Sequence, residues 1–298
     1  MSFRLGINLG FAINKYIESD VWARIVREDL GLRYVQFVAD LLNPFWPKEY
    51  VTDQIKGIKA SCKEYDISIE SLFTSAFTRV NHLMNPDEDA RKFWLAWFKH
   101  FLDIGSVFGA KNAGSHFGIM TFDTYNNEEK RRFILDEAVK GWQDLSFYAQ
   151  AKGYECLIFE PMSVPREMAN TIEETVELMD RVNAHCGVPL RVCLDVGHAP
   201  HPTQRDPYPW IEKLAALSPV IHLQQTVLHK SNHAPFTTEQ NKTGIITREK
   251  VMEAVQKGGC TDALFAFEIS HREHWDTDFR IIEDLKASVD YFREVIPE

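Results

Sequence analysis

Four times in its second half the chain runs several apolar residues into one oxygen-bearing side chain. LIFEPM delivers Glu160 before Pro161, RVCLDVGH delivers Asp195 with His198 three residues on, VIHLQQT delivers Gln224, and LFAFEIS delivers Glu268. Short apolar runs bounded by turn formers read as buried strands. The four positions are 35, 29 and 44 residues apart, the length of one strand, one helix and their loops. Units of that length close into an eight-stranded α/β barrel of roughly 250 residues, whose strand C-terminal ends share one mouth. The expectation is a single-domain (β/α)8 TIM barrel over residues 1–298. Its mouth brings residues distant in sequence around one ion or substrate.

The first half supplies the other units. FRLGINLG alternates from Phe3 to Gly10 as strand 1, with a helix from about Asp20 to Leu30. YVQFVADLL, residues 34–42, is strand 2, and NPFWP then sets Asn43 and Trp46 at the mouth before a helix from Val51 to Tyr65. ISIESLFTSA, residues 67–76, is strand 3, and the helix from Asp87 to Val107 follows. Its Phe93, Trp94, Trp97, Phe98 and Phe101 form an aromatic stripe that packs on the barrel wall or marks an interface in a homo-oligomer. AKNAGSHFG, Ala110 to Gly118, is strand 4 and ends near His116. Asn126 with Glu129, and Thr171 with Glu174, read as capping boxes opening helices 4 and 5. PYPWIEKLAAL is a short helix after strand 6, Thr247 to Gly258 is helix 7, and the last helix runs from about Asp276 to Glu294. The longest connection, VLHKSNHAPFTTEQNKTG, follows strand 7, and a loop of that length at a barrel mouth usually has a function.

Lys and Arg number 33 against 43 Asp and Glu, a net charge of −10 that opposes capture of nucleic acid. The start MSFRLGINLG lacks a signal-peptide pattern, and no apolar run reaches the roughly 18 to 20 residues that span a bilayer. A soluble cytoplasmic protein with no membrane partner and a small-molecule substrate is therefore expected. The five cysteines are scattered and form no CxxC, so neither a disulfide framework nor a thiolate zinc site is indicated.

Two glutamates and an aspartate converging on one mouth repel, and a divalent cation relieves that repulsion. With Glu160, Asp195, Gln224 and Glu268 as metal ligands every donor is an oxygen, which favours Mg²⁺ or Mn²⁺. His222 and Gln225 are rivals to Gln224 on strand 7; alternation puts 222 and 224 on one face and 225 on the other.

The order of these motifs resembles the xylose isomerase-like barrel superfamily, in its sugar and sugar-phosphate isomerase/epimerase branch, across nearly the whole chain from LGINLG to FAFEIS. The resemblance implies a divalent metal held by Glu, Asp, His and Glu at the ends of strands 5 to 8, at positions matching Glu160, Asp195, Gln224 and Glu268. The chain departs from the pattern at strand 7, where His222-Leu223-Gln224 stands in place of HxH. The same resemblance gives His198 a substrate contact through its Asp-x-x-His motif, and His116 a substrate contact at strand 4. It also implies an enediolate mechanism in which Glu160 and Glu268 are the catalytic proton carriers on opposite sides of the ion. Lys230 and His233, with His229 and Lys242, are the residues of the strand 7 loop that would bind a phosphate. The best expectation is 3-epimerisation of a short ketose phosphate such as a tetrulose phosphate. Aldose-ketose isomerisation of a free pentose, a metal-dependent dehydration and a non-catalytic sugar-binding barrel stay open.

Overall fold

A computed structural model describes residues 2–74, 78–199, 204–271 and 278–297. Eight parallel strands close on one another in chain order, β1 pairing both β2 and β8. The strands are β1 Ser2–Asn8, β2 Tyr34–Val38, β3 Ser68–Phe73, β4 Asn112–His116, β5 Cys156–Glu160, β6 Leu190–Asp195, β7 Val220–Leu223 and β8 Asp262–Phe267. The connecting helices are α1 Ser19–Arg24, α2 Lys48–Glu64, α3 Glu88–Phe108, α4 Phe122–Asn126, α5 Glu128–Ala151, α6 Ile172–Asn183, α7 Pro207–Leu214, α8 Thr238–Asn241, α9 Arg248–Lys257 and α10 Ile281–Arg293. The expected eight-stranded barrel is thus the observed architecture.

Two apolar cores follow from the alternation of strand side chains. The larger lies between strands and helices and includes Trp22, Val35, Phe37, Trp97, Phe101, Trp142 and Phe292. The smaller fills the barrel interior with Phe73, Cys156, Ile158, Cys193, Val220, Leu264 and Ala266. Above this dry floor the interior turns polar: Asn8, Gln36, Ser71 and Asn112 stand in consecutive register across β1 to β4. They are buried and linked, because polar groups removed from water must find partners. Asn8 donates to Gln36 at 2.7 Å, Gln36 donates to Ser71 at 3.1 Å, and Ser71 donates to Asn112 at 2.6 Å.

The helix boundaries show where local chemistry differs from the reading of the sequence. Thr171 caps α6 by accepting from Glu174 N at 3.1 Å, and the Glu174 carboxylate reaches back to accept from Asn170 N, one residue before the cap, a capping box with its return bond displaced by one residue. The box expected of Asn126 with Glu129 is replaced by a plain cap one residue later: Asn127 accepts from Lys130 N at 3.0 Å, and Lys130 has no carboxylate to return the bond. Asn126 is taken up as the last residue of the extra helix α4, and the extended backbone of Asn127 breaks the chain between the two helices. Of the α3 aromatics, Trp97, Phe98 and Phe101 are buried against the barrel, while Phe93 is 49% exposed. The end of the third expected strand and the expected start of the last helix at Asp276 lie outside the described residues. No helix among the described residues is long and apolar enough to cross a membrane.

Candidate active site

The C-terminal ends of β5 to β8 bring four donors together. Glu160, Asp195, His222 and Glu268 each offer one ligand atom, and these atoms lie within 4.8 Å of one another. Glu160 and Asp195 are the last residues of β5 and β6, and Asp195 stands in register with His222 on β7. Glu268 directly follows β8, with its N–H donating to Leu223 O. His222 Nδ1 is 3.1 Å from Glu160 Oε1 and 3.1 Å from Glu268 Oε2, so the ring sits between the two glutamates.

The orientation of His222 is set from below. Gln36 donates its amide N–H to Ser71, so its Oε1 is the atom facing His222 Nε2 at 2.7 Å and Asn8 at 2.7 Å. An oxygen acceptor there holds a proton on Nε2 and aims Nδ1 at the carboxylates. Cys193 Sγ is also 3.3 Å from Nε2. Burial opposes a charged ring, yet Cys193, Glu268 and the contact with Glu160 raise His222 well above the usual histidine range. Burial also disfavours the Glu268 anion, but the adjacent His222, with His233 and His198, holds that carboxyl well below its ordinary range.

Gln224 is buried beside this group in a different posture. The backbone N–H of His233 can only donate, and it is directed at Gln224 Oε1. The amide nitrogen consequently faces Asp195, 3.0 Å from Oδ1 and 2.9 Å from Oδ2. Gly197 N–H donates to Asp195 Oδ1 at 2.6 Å, completing a clamp on that carboxylate. Gln225 points away into the loop, where its amide joins Thr226, Asn241 and Ile246.

The remaining expected residues divide. His198 lies 3.8 Å from Glu160 Oε1 and 3.7 Å from Asp195 Oδ2, and it packs edge-on to His233 at 5.4 Å between centroids. Burial works against charge on His198, but Asp195, Glu160 and Glu268 raise its pKa. His233 Nδ1 is 3.6 Å from Glu268 Oε2. Asp195, His198 and His233 form a second group of donors within 4.8 Å that shares Asp195 with the first. His116 is buried with Nε2 3.2 Å from Val80 O and its ring 4.2 Å from that of His82, and burial lowers its pKa to about 4. His116, His198 and His233 line the mouth cavity of about 1050 Å³, as do Glu160 and Glu268. Lys230 is exposed in the loop after β7 and is not among the residues lining that cavity; neither are His229 and Lys242.

The donor set fits a divalent cation. Glu268 Oε2 is buried and, though 3.1 Å from His222 Nδ1, makes no aligned hydrogen bond. A buried anionic oxygen without a partner is costly, and three carboxylates with ligand atoms within 4.8 Å of one another add their mutual repulsion. The sequence carried two signals for parts of this network that the strand-end pattern overlooks. Gln36 interrupts the apolar run Val35–Val38, and Asn112 opens β4, each a polar residue where a buried strand should be apolar.

The xylose isomerase-like TIM barrel family model matches residues 26–295. The chain belongs to that family. A curated relative from Brucella abortus (strain 2308), D-erythrulose 1-phosphate 3-epimerase, is 29% identical over 297 residues, covering 98% of this chain and 96% of the relative. The crystal structure of a putative xylose isomerase from Rhodospirillum rubrum ATCC 11170 superposes with a TM-score of 0.89 at 26% identity, over 98% of this chain and 99% of the other. D-psicose 3-epimerase with D-tagatose, from Clostridium cellulolyticum H10, has the same fold with a TM-score of 0.76 at 16% identity, over 98% and 99% of the two chains. Within this family the barrel described above places its acidic group at the mouth, the catalytic face of such barrels.

Proposed function

We propose that the protein is a divalent-metal-dependent 3-epimerase of a short ketose phosphate, with D-erythrulose 1-phosphate its best candidate substrate. It is an isomerase-class enzyme acting on a small sugar phosphate. The observation that carries the reading is the placement of two glutamates on either side of His222, beside Asp195, in one buried group. The relative's activity and its near full-length match support the substrate class.

Glu160, Asp195, Glu268 and His222 would hold the ion. Gln224, expected as the fourth ligand, has its carbonyl committed to His233 N–H and its amide turned to Asp195, so we assign it the role of clamping that carboxylate. An imidazole among three carboxylates favours Mn²⁺, with Mg²⁺ second because it prefers an all-oxygen shell. When bound, such an ion acts as a Lewis acid that polarises the ketose carbonyl and the neighbouring hydroxyl.

The rest falls to the chain's own residues. For one epimer Glu268, held ionised by its histidine neighbours, takes the C3 proton, and the C–H electron pair becomes the C2–C3 double bond of an enediolate. Glu160, which enters this half-reaction protonated, then delivers its proton to the opposite face of C3; the double bond returns to the carbonyl, the configuration is inverted, and exchange with water removes the proton left on Glu268 and restores the one lost from Glu160. For the other epimer the two glutamates exchange roles. His198 and His233, packed together at the wall, orient substrate hydroxyls. His116, neutral at pH 7 because burial depresses its pKa, contacts the sugar without adding charge.

The test is incubation of the Mn²⁺-loaded protein in D₂O with D-erythrulose 1-phosphate and a panel of free ketoses, followed by proton NMR. Deuterium at C3 with loss of stereochemical purity is expected for the phosphate. Label at C1 of a free ketose, whose C1 hydroxyl can become an aldehyde, with an aldose product would replace the epimerase by an isomerase. Absence of label in every sugar would leave the enediolate reading without support.

A further inference from the structure

We propose that the substrate phosphate is seated by Lys15 and Arg79 on the β1–β3 side of the mouth, and not by the lysines of the β7 loop. The inference rests on the epimerase reading for the identity of the sugar, but the anion seat is tested separately below. Among the described residues lining the mouth cavity, the lysine and arginine side chains are Lys15, after β1, and Arg79, after β3. The proposed proton carriers come from β5 and the end of β8, while both cations are carried by the loops after β1 and β3, with Asp278 the acidic residue of the lining nearest Lys15.

That division matches a molecule with a reactive carbonyl at one end and a dianion at the other. A ketose phosphate entering with its phosphate toward Glu160 and Glu268 meets like charge. Entering the other way, it places the carbonyl at the proton carriers and the phosphate on the side of the mouth that carries a guanidinium and an ammonium. The two cations are prepared differently. Arg79 is 51% exposed along its side chain and is anchored through Nη2 to the buried Glu167 at 2.8 Å, which fixes the guanidinium at the rim. Lys15 is only 23% exposed, and its contacts to Asn14 Oδ1 at 3.4 Å and Asp278 Oδ1 at 3.7 Å are both long. Bringing a phosphate oxygen to the ammonium replaces these loose contacts by a charge-assisted hydrogen bond. Asn14 and Ser270 in the same lining supply neutral donors for the remaining oxygens. The Lys230 and Lys242 ammonium groups lie outside this cavity; Lys242 is tied to Glu239 and stands in α8's turn.

Two measurements test this on the Mn²⁺-loaded full chain, using Lys15→Ala, Arg79→Ala and Lys15→Arg, each checked for the wild-type unfolding temperature. The first is calorimetric titration with inorganic phosphate, which needs no assumption about the reaction. Each alanine substitution is expected to weaken phosphate binding about 10-fold or more, the size of a lost charge-assisted hydrogen bond, and Lys15→Arg to keep most of it. Unchanged phosphate affinity in both alanine variants overturns the proposal. The second compares C3 exchange of D-erythrulose 1-phosphate and unphosphorylated D-erythrulose. KM for the phosphate is expected to rise by a similar factor with kcat largely kept and the free ketose unaffected. Equal losses on both sugars, or a phosphate-selective loss produced by Lys230→Ala alone, overturn it. If wild-type protein exchanges neither sugar, the epimerase reading fails, while the calorimetric comparison still decides the anion seat.

Discussion

At the scale of single residues, the account depends on which way the His222 ring is turned, with Nε2–H toward Gln36 and Nδ1 toward the carboxylates. Gln36 decides this by presenting an oxygen whose opposite face is fixed by Ser71. Replacing Gln36 by Leu leaves His222 Nε2–H and the Asn8 amide without their acceptor. The expected cost is about 1–3 kcal/mol of stability for the unsatisfied donors and a roughly 10- to 100-fold loss of Mn²⁺ affinity from a misoriented ligand. Denaturant unfolding and calorimetric Mn²⁺ titration read the two separately, and unchanged affinity would show that the ring is held by something other than Gln36. His116 gives a second residue-scale expectation. Its folded pKa, about 4, lies below the ordinary value of 6.5, so the folded state resists a proton that the unfolded chain accepts. The stability this contributes is complete above about pH 6.5 and is lost as the pH falls through about 4. An NMR titration of the His116 ring should show it neutral down to that range, and a midpoint near 6.5 would contradict the burial argument.

At the scale of elements, the strand ends were readable because each apolar run is short, is closed by a turn former, and leaves one polar residue in the last position. Glu160, Asp195 and Glu268 each follow that rule, and the structure brings all three carboxylates together. Strand 7 was harder. His222 lies inside its run and Gln224 after it, both on the interior face, and only the partners they find in three dimensions separate their postures. Lys15 and Arg79 were not legible at all, since cations in loops carry no periodicity and their approach to a common cavity is set by barrel closure. Closure itself has a local requirement at Gly114 on β4. A Cβ at this position would fall 1.7 Å from the Ile158 carbonyl oxygen of β5, so only glycine lets these two strands approach. Gly114→Ala is expected to cost about 3 kcal/mol or more, through overpacking against a backbone that cannot yield. Equilibrium denaturation of the purified variant checks it, and a loss below 1 kcal/mol would mean that the β4–β5 pairing can shift.

At the scale of the whole molecule, the mouth gathers its negative charge from strands on both ends of the chain's second half, so an ion bound there ties β5 to β8 around the barrel's circumference. Binding to the folded state alone stabilises by mass action, about 2.7 kcal/mol at a hundredfold excess over Kd. For a chain of this length that is roughly a 4 °C rise in Tm. Mn²⁺ should produce the rise, and a chelator should reverse it; identical melting curves in Mn²⁺ and chelator would speak against a metal at this group. The central claim is that Glu160 and Glu268 both move the C3 proton, and one measurement addresses it most directly. D-erythrulose 1-phosphate labelled with deuterium at C3 is incubated with wild-type protein, Glu160→Gln and Glu268→Gln at matched Mn²⁺ occupancy, and loss of the label to H₂O is followed by NMR. Each substitution keeps an oxygen donor but removes a base. The account predicts epimerisation lowered by about 10²- to 10⁴-fold in both variants, with label loss slowed most for the epimer whose C3 proton faces the altered residue. Label loss at the wild-type rate in both variants would contradict it.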